Sequence, residues 1–282
     1  MYDEGGGAGA APIGGGMRRF NLEGLIPLLL LVIIGVASLN YFGVIDIPYL
    51  PRGSASKQVL FIGVPSTGGR VVLDNLSYFL RYNIRDATTF GNAASEELQQ
   101  YDIVILDQSL SADKSVTVGL GEAIQKYVDK GGKLIVVMNS GVLQSVGFGG
   151  LTAVDAIGWK ANFGNIMPAE CVPNSTSIPS CKPGQEVSIV GRIYRQDYDH
   201  PIMLGTEMVP TLDEAPFAMT TLSIQANEGA KTIAYIKAEN TPQTFPAIIE
   251  KKNFPLGSII YFNYDAGLTM NVFKNTIMYL KW

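Results

Sequence analysis

The sequence predicts an α/β protein in which a doubly wound, mostly parallel sheet follows one transmembrane helix. An uncharged apolar run occupies residues 25–45, and a helix of about 20 residues is long enough to cross the hydrocarbon of a bilayer. Beyond it, short apolar strands alternate with amphipathic helical segments, which is the order of βα units in a parallel sheet. The chain has 282 residues, of which 47% are apolar and 16% charged, so it can bury one large core.

Four regions are predicted along the chain. The glycine-rich residues 1–20 cannot build a core, and Arg18-Arg19 at their end should stay on the cytoplasmic side of a membrane. The regions are a flexible cytoplasmic tail at 1–20, a transmembrane helix at 21–46, a linker at 47–57 and an α/β domain at 58–282. We therefore expect a single-pass protein of the cell membrane whose C-terminal domain is extracytoplasmic.

Two other interpretations of the apolar run are open. Gly35-Val36-Ala37 offers the small residues that a signal peptidase requires, and Arg18-Arg19 before the run is similar to an archaeal prepilin-like leader. The run continues to Ile45, further than a signal peptide needs, and no glutamate opens it as in a prepilin. An uncleaved anchor is the favoured interpretation.

The domain is predicted to begin with βα units and to end with a partly antiparallel section. The first strands are continuous apolar runs, as expected when helices cover both faces of a sheet, and the helices carry apolar residues at helical spacing. Predicted strands are 58–64, 84–88, 102–106, 133–138, 232–237, 247–251 and 258–265, and predicted helices are 70–82, 115–129 and 270–282. The Gly/Pro-rich residues 145–190 are interpreted as a loop excursion over the surface.

Polar residues follow the predicted parallel strands. Asp107 and Gln108 come after the third strand, and Asn139 and Ser140 come after the fourth. Because ligands of doubly wound sheets bind beyond the carboxyl ends of the strands, these four residues are candidates for binding a polar ligand, together with His200. For Asp107, capping of the following segment is the competing interpretation.

Composition excludes two classes of site. The net charge is −4 and no extended basic run occurs, so a nucleic-acid partner is not expected. His200 is the only histidine and there are two cysteines, too few for a zinc site built from such ligands. We expect no metal and no cofactor.

Two features indicate an oxidising compartment. Cys171 and Cys181 are close in sequence, within a segment rich in proline and serine, which predicts one disulfide. Asn174 opens an Asn-Ser-Thr glycosylation sequon in the same segment, and Asn75 opens a second one.

Several stretches resemble the class I glutamine amidotransferase-like superfamily, whose sheet is flavodoxin-like. YDIVILDQ and QKYVDKGGKLIVVMNSG resemble the strand, helix and strand that lead to the nucleophile in that superfamily. DHPI resembles the trehalose-utilisation-like branch, and GSIIYFNYDAGLTMNVFKNTIMYLKW resembles the final strand and helix of extracytoplasmic members. The resemblance covers about residues 58–144 and, more loosely, 194–282.

The departure from the superfamily concerns its nucleophile. Asn139 stands where active members carry a cysteine, and an amide cannot attack a carbonyl carbon, so the resemblance implies a domain without catalytic activity. A nucleophile elbow needs small residues two positions before and two positions after the nucleophile. Ser140 has Met138 and Val142 at those positions. The carboxylate that would orient His200 is also replaced, because His-Pro-Ile stands where the family has His-Pro-Glu.

The resemblance implies an accessory or scaffolding subunit of a membrane complex. Superfamily domains without the cysteine occur in the eukaryotic oligosaccharyltransferase, which suggests a role in protein glycosylation or cell-envelope assembly, in an archaeon. The expected partners are complex subunits, the bilayer through residues 25–45, and a glycan. One alternative is a carbohydrate-active or hydrolytic enzyme that uses Ser140 and His200. Another is a pilus-like or surface-layer-associated structural protein.

Overall fold

The computed structural model describes residues 22–41, 57–148, 151–172, 179–239 and 241–281. The chain divides into two compact units, Met1–Ala55 and Ser56–Trp282. The predicted tail at 1–20 and nearly all of the predicted linker lie outside the described residues.

The first unit contains helix α1, Leu22–Tyr41, at the predicted place. Pro27 lies inside this helix, and large apolar side chains between Ile26 and Leu39 are exposed along it. Within the described residues, no helix has both the length and the apolar character that a membrane crossing requires. The transmembrane helix at 21–46 therefore stays a prediction.

The second unit is built around one large sheet. The strands are β1 (Lys57–Gly63), β2 (Leu80–Arg85), β3 (Ile103–Asp107), β4 (Ser115–Thr117), β5 (Lys133–Val137), β6 (Leu143–Phe148), β7 (Leu151–Ile157), β8 (Ala169–Cys171), β9 (Val187–Arg195), β10 (Met208–Val209), β11 (Phe217–Thr221), β12 (Ile224–Ala226), β13 (Ala230–Ala238), β14 (Thr244–Asn253) and β15 (Gly257–Phe262). The helices are α2 (Thr67–Asn75), α3 (Ala94–Leu98), α4 (Val118–Asp129), α5 (Trp159–Phe163) and α6 (Met270–Lys281), with 3-10 turns at Ala87–Thr89, Pro201–Met203 and Ala266–Thr269.

The sheet is parallel in its core and antiparallel on one side. In the described part of the chain ten strands share it, in the order β10-β9-β13-β14-β15-β5-β3-β1-β2, with β11 paired to β9. The section β15-β5-β3-β1-β2 is parallel, and β14, β13, β9, β10 and β11 are antiparallel to their neighbours. The predicted mixed α/β fold with a large, mostly parallel core sheet is confirmed.

Helices cover both faces of the parallel section. Strand β1 lies between β2 and β3, so the crossover from β1 to β2 and the crossover from β2 to β3 run in opposite directions across the sheet. Because such crossovers are right-handed, α2 and α3 lie on opposite faces. Helix α6 packs beside α2, and α4 beside α3. The strand order reverses at β1 and β3, and a ligand of such a sheet would bind at their carboxyl ends.

The sequence prediction was wrong at the end of the first domain helix. A helix was expected at 70–82, but α2 ends at Asn75 and Leu80 already begins β2, paired with Lys57 of β1. The apolar Phe79 and Leu80 fit a helical spacing locally, but the ladder with β1 satisfies their backbone better.

Segment 145–190 differs from the predicted surface loop. It contains most of β6 and β7, which form a small sheet with β4, and it contains β8, which pairs with β12. Helix α5 buries Trp159 and Phe163 in the core. These apolar side chains anchor the segment, because exposing them would cost roughly 2–3 kcal/mol each.

Candidate functional site

The candidate site lies at the carboxyl ends of β1, β3 and β5. The register that pairs Gly63 with Asp107 and Asp107 with Val137 brings these strand ends to one edge of the sheet, here called the carboxyl edge. The structure places the predicted residues Asp107, Gln108, Asn139 and Ser140 together there, all four of them buried.

The turn after β5 is strained at Met138. Its φ is 53°, in the left-handed region that a long L side chain rarely adopts, and its N–H donates to the carbonyl of Phe262 at 2.7 Å. The residue in the strained conformation is therefore Met138, one position before Asn139. The turn continues into strand β6, whereas a nucleophile elbow continues into a helix.

The hydroxyl of Ser140 is fully engaged inside the protein. The side chain has an exposed fraction of 0%, and its Oγ donates to the carbonyl of Val137 at 2.5 Å. The same oxygen accepts the backbone N–H of Gln108 at 2.7 Å. The amide of Gln108 in turn accepts the N–H of Gly141 at 2.8 Å and donates to Ser115. These bonds connect the end of β3 to the turn after β5. The hydroxyl proton of Ser140 is already donated to Val137, so it is not available to a general base.

Residues of segment 145–190 pack over the turn that follows β5. Asn139 donates through Nδ2 to Glu186 Oε1 at 2.7 Å, and Trp159 donates through Nε1 to the carbonyl of Ser140 at 2.9 Å. Asn162 donates to the carbonyls of Gly141 and Leu143. The edge is thus filled by protein groups that satisfy its backbone.

Asp107 is the main electrostatic feature of the carboxyl edge. Its Oδ1 accepts the backbone N–H and the hydroxyl of Ser109, at 2.9 Å and 2.5 Å, which is the local turn-capping arrangement. Burial raises the pKa of its carboxyl from 3.8 to about 6 against these bonds, and the charge of Asp265 acts in the same direction as burial. Lys114, whose own pKa is lowered by burial, lies near enough to oppose that rise.

The start of α2 is locked onto the segment after β15. Ser66 caps α2 by accepting the N–H of Gly69 at 3.3 Å, and its hydroxyl donates to Asp265 at 2.8 Å. A Cβ on Gly68 would lie 2.1 Å from the carbonyl oxygen of Gly267, so only glycine allows this approach. The contact occupies the space at which a phosphate-binding helix start would meet its ligand.

His200 lies away from these residues, against β14 and α6. Its Nε2 is 3.3 Å from Glu250 Oε2, and Glu250 also accepts bonds from Ser258 at the start of β15 and from Tyr279. The Nδ1 of His200 accepts the backbone N–H of Ile202 at 3.3 Å. The expectation that His200 lacks an orienting carboxylate was wrong, because β14 supplies Glu250.

The sequence prediction missed Glu250 and the role of Met138. Glu250 had a usable signal, because it is an isolated acid at the end of the apolar run 245–249, and such a residue needs buried partners. No feature of the sequence indicated the conformation of Met138, since methionine is not a residue type that predicts a left-handed backbone.

Cys171 and Cys181 form the predicted disulfide, with their Cα atoms 5.4 Å apart. Asn75 is exposed as the last residue of α2, and Asn174 lies outside the described residues. In the described parts of the chain, no three His, Cys, Asp or Glu side chains group as metal ligands would.

Comparison with known proteins finds similarity of structure alone. No family model matches the sequence, and no curated protein matches it. A β-galactosidase from Rahnella sp. R3 is similar over 80% of this chain and 31% of its own, at 15% identity and a TM-score of 0.48. A GMP synthase component from Thermoplasma acidophilum matches 80% of this chain and 94% of its own, at 11% identity and a TM-score of 0.43.

A glutaminase domain of CTPS from Trypanosoma brucei is similar over 80% of this chain and 92% of its own length, at 11% identity and a TM-score of 0.40. The solved structures thus include amidotransferase-like domains and glycosidases. The chain spans about a third of the length of the β-galactosidase.

Proposed function

We propose that this chain is a non-catalytic accessory or scaffolding subunit of a membrane complex, with its α/β domain on the extracytoplasmic side. The observation that carries the proposal is the turn after β5, where Met138 occupies the strained position and its side chain is buried. A thioether has no proton that a base could remove, so this position offers no activated nucleophile.

The neighbouring polar groups support the same conclusion. A catalytic edge should present polar atoms to an open cleft, whereas Asp107, Gln108, Asn139 and Ser140 are buried and bonded within the protein. Their arrangement is that of a closed structural network.

The alternative hydrolase with Ser140 and His200 does not fit the geometry. The Oγ of Ser140 is bonded to Val137 and Gln108 at the carboxyl end of β5. The imidazole of His200 is bonded to Glu250 of β14 and to Ile202, so the structure does not pair the two groups. A general base must lie within about 3 Å of its nucleophile, or one water away.

Membrane attachment is the second part of the proposal. It is supported by the uncharged run 25–45 and by the exposed apolar side chains of α1. Arg18-Arg19 favours a cytoplasmic N-terminus, and the disulfide Cys171–Cys181 favours an oxidising compartment for the domain. A role in glycosylation or envelope assembly follows from the superfamily resemblance.

A fluorophosphonate probe tests the absence of a serine nucleophile. Purified full-length protein is incubated with the probe, and its mass is measured beside the Ser140→Ala variant and an active serine hydrolase. We expect no adduct on either form of this protein, because the Ser140 hydroxyl is buried and bonded. An adduct that forms on the native chain and disappears in the Ser140→Ala variant would overturn the proposal.

A further inference from the structure

The amino ends of the parallel strands form a second edge of the sheet. The register pairs Lys57 with Leu80, Ile103 with Lys133, and Lys133 with Ser258. The first residues of β2, β1, β3, β5 and β15 therefore lie side by side along this amino edge, over a width of about 19 Å for four strand spacings.

Four large side chains project from this edge into solvent. Tyr78 and Phe254 are each 91% exposed, Leu256 is 71% exposed and Phe79 is 54% exposed. Tyr78 and Phe79 directly precede β2, and Phe254 and Leu256 form the tip of the β14–β15 hairpin. We call these four residues the amino-edge patch.

The hairpin tip is held in place by bonds below it. Asn253 donates to Asp129 Oδ1 at 2.8 Å, and Lys133 donates through Nζ to the carbonyl of Leu256. A Cβ on Gly257 would lie 2.4 Å from the carbonyl oxygen of Val128, so the hairpin packs directly on the end of α4. Phe254 and Leu256 are thus presented to solvent on a rigid support, which lowers the entropic cost of burying them against another surface.

Basic residues surround the patch. Lys130 and Lys252 are exposed beside the hairpin, and the Nζ of Lys281 lies 5.1 Å from the ring centre of Phe79. Three acids near this edge, Asp74, Asp102 and Asp129, are bonded to Tyr82, Lys57 and Asn253 respectively. Exposed aromatic and aliphatic tips among lysines are typical of surfaces that enter the headgroup region of a membrane.

The chain enters the domain on this same edge. Lys57 opens β1 between β2 and β3, and the preceding residues lead directly from the apolar run 25–45. The first described residue of the domain therefore lies on the edge that carries the amino-edge patch. The carboxyl edge lies at the other end of the strands.

We propose that the amino-edge patch docks onto the surface of the bilayer that holds the anchor, with Phe254 and Leu256 inserted among the lipid headgroups and the lysines beside anionic phosphates. This inference rests on the proposed membrane attachment. It orients the domain with its amino edge toward the lipid and its carboxyl edge toward the aqueous phase, where another protein of the complex would reach it.

Quenching of tryptophan fluorescence by brominated lipids tests the proposal. The full-length chain is reconstituted into phosphatidylcholine–phosphatidylglycerol vesicles with brominated acyl chains. Phe254→Trp places a reporter in the patch, and Leu212→Trp is the matched control. Leu212 is 75% exposed and lies in the loop that borders Leu268 and Met270, beyond the carboxyl end of β15. The native protein, whose tryptophans are Trp159 and Trp282, supplies the background.

We expect the emission added by Phe254→Trp to shift to the blue and to be mostly lost in brominated vesicles. The emission added by Leu212→Trp should be unchanged. Flotation of the same vesicles after alkaline carbonate treatment reports whether the chain is membrane-embedded. A chain that floats while both reporters respond equally would overturn the docking surface and leave the membrane attachment standing. A chain that does not float would overturn the attachment and the docking together.

Discussion

Asp107 is the residue whose environment gives a defined pH dependence. Its pKa rises from 3.8 to about 6 in the folded state, mainly through burial. Well below pH 4 the carboxyl is neutral in both the folded and the unfolded chain. As the pH rises from about 4 through 6, the unfolded chain ionises while the folded chain still holds the proton, so the contribution of Asp107 to stability is lost across that window and is level above it.

Asp107→Asn should remove this dependence. The amide oxygen can still accept both bonds from Ser109, but no buried charge forms, so we expect the variant to exceed the native protein in unfolding free energy by on the order of 3 kcal/mol near pH 8 and by almost nothing near pH 4. Denaturant unfolding followed by intrinsic tryptophan fluorescence measures the difference.

Asp113→Asn is the matched control for this experiment, because the exposed Asp113 makes a similar Oδ1 contact with the N–H of Ser115. We expect no comparable pH-dependent gain from it. A difference between Asp107→Asn and native protein that is the same at both pH values would show that the buried charge is not the cause.

Glu250 joins four elements of the domain. It lies on β14 and accepts hydrogen bonds from Ser258 of β15, from Tyr279 of α6 and from His200 before a 3-10 turn. Burial acts to raise the pKa of its carboxyl, but the bonds from His200 and Tyr279 outweigh burial and leave the pKa lowered. Its contribution to stability is therefore present above the pKa of the unfolded chain, and it is lost as the pH falls through the lower, folded value.

Glu250→Gln should loosen the packing of α6 on the sheet. The amide brings a donor into a cluster of donors, so we expect a loss of about 1–3 kcal/mol in unfolding free energy at neutral pH. Glu228→Gln, at an exposed position, is the control and should change the free energy by less than about 0.5 kcal/mol. Equal stabilities of the two variants in denaturant unfolding would contradict the structural role of the cluster.

For the molecule as a whole, the decisive question is whether the N-terminal apolar run holds the chain in a membrane. Leu30 and Ile33 lie near the middle of α1 and are exposed there. A lysine near the centre of a membrane helix costs about 2.5–3.5 kcal/mol. The double variant Leu30→Lys/Ile33→Lys should therefore move from the carbonate-washed membrane pellet to the supernatant.

Leu30→Ala/Ile33→Ala is the matched control, since alanine shortens the same side chains without adding charge. We expect it to stay in the pellet with the native chain. If the lysine variant also remains there, membrane association depends on another part of the protein, and the anchor hypothesis is wrong.

The parallel core was predictable because its signals are local. Buried strands such as 102–106 and 133–138 are continuous apolar runs, and an apolar run flanked by polar turns needs little context to be recognised. The disulfide was predictable from two cysteines ten positions apart. The boundary between α2 and β2 was not predictable from local sequence. It is set by the pairing of β2 with β1, whose residues are more than twenty positions away.

The sequence by itself determined the α/β fold, the pairing of Cys171 with Cys181 and the absence of a cysteine after β5, since each depends on residue type and near spacing. Only the tertiary structure showed Met138 at the strained turn, Ser140 sealed beneath Trp159, and His200 beside Glu250 rather than Ser140. The amino-edge patch likewise unites residues more than 170 positions apart. These features depend on strand order and register, which bring distant segments to one edge through contacts that no local pattern encodes.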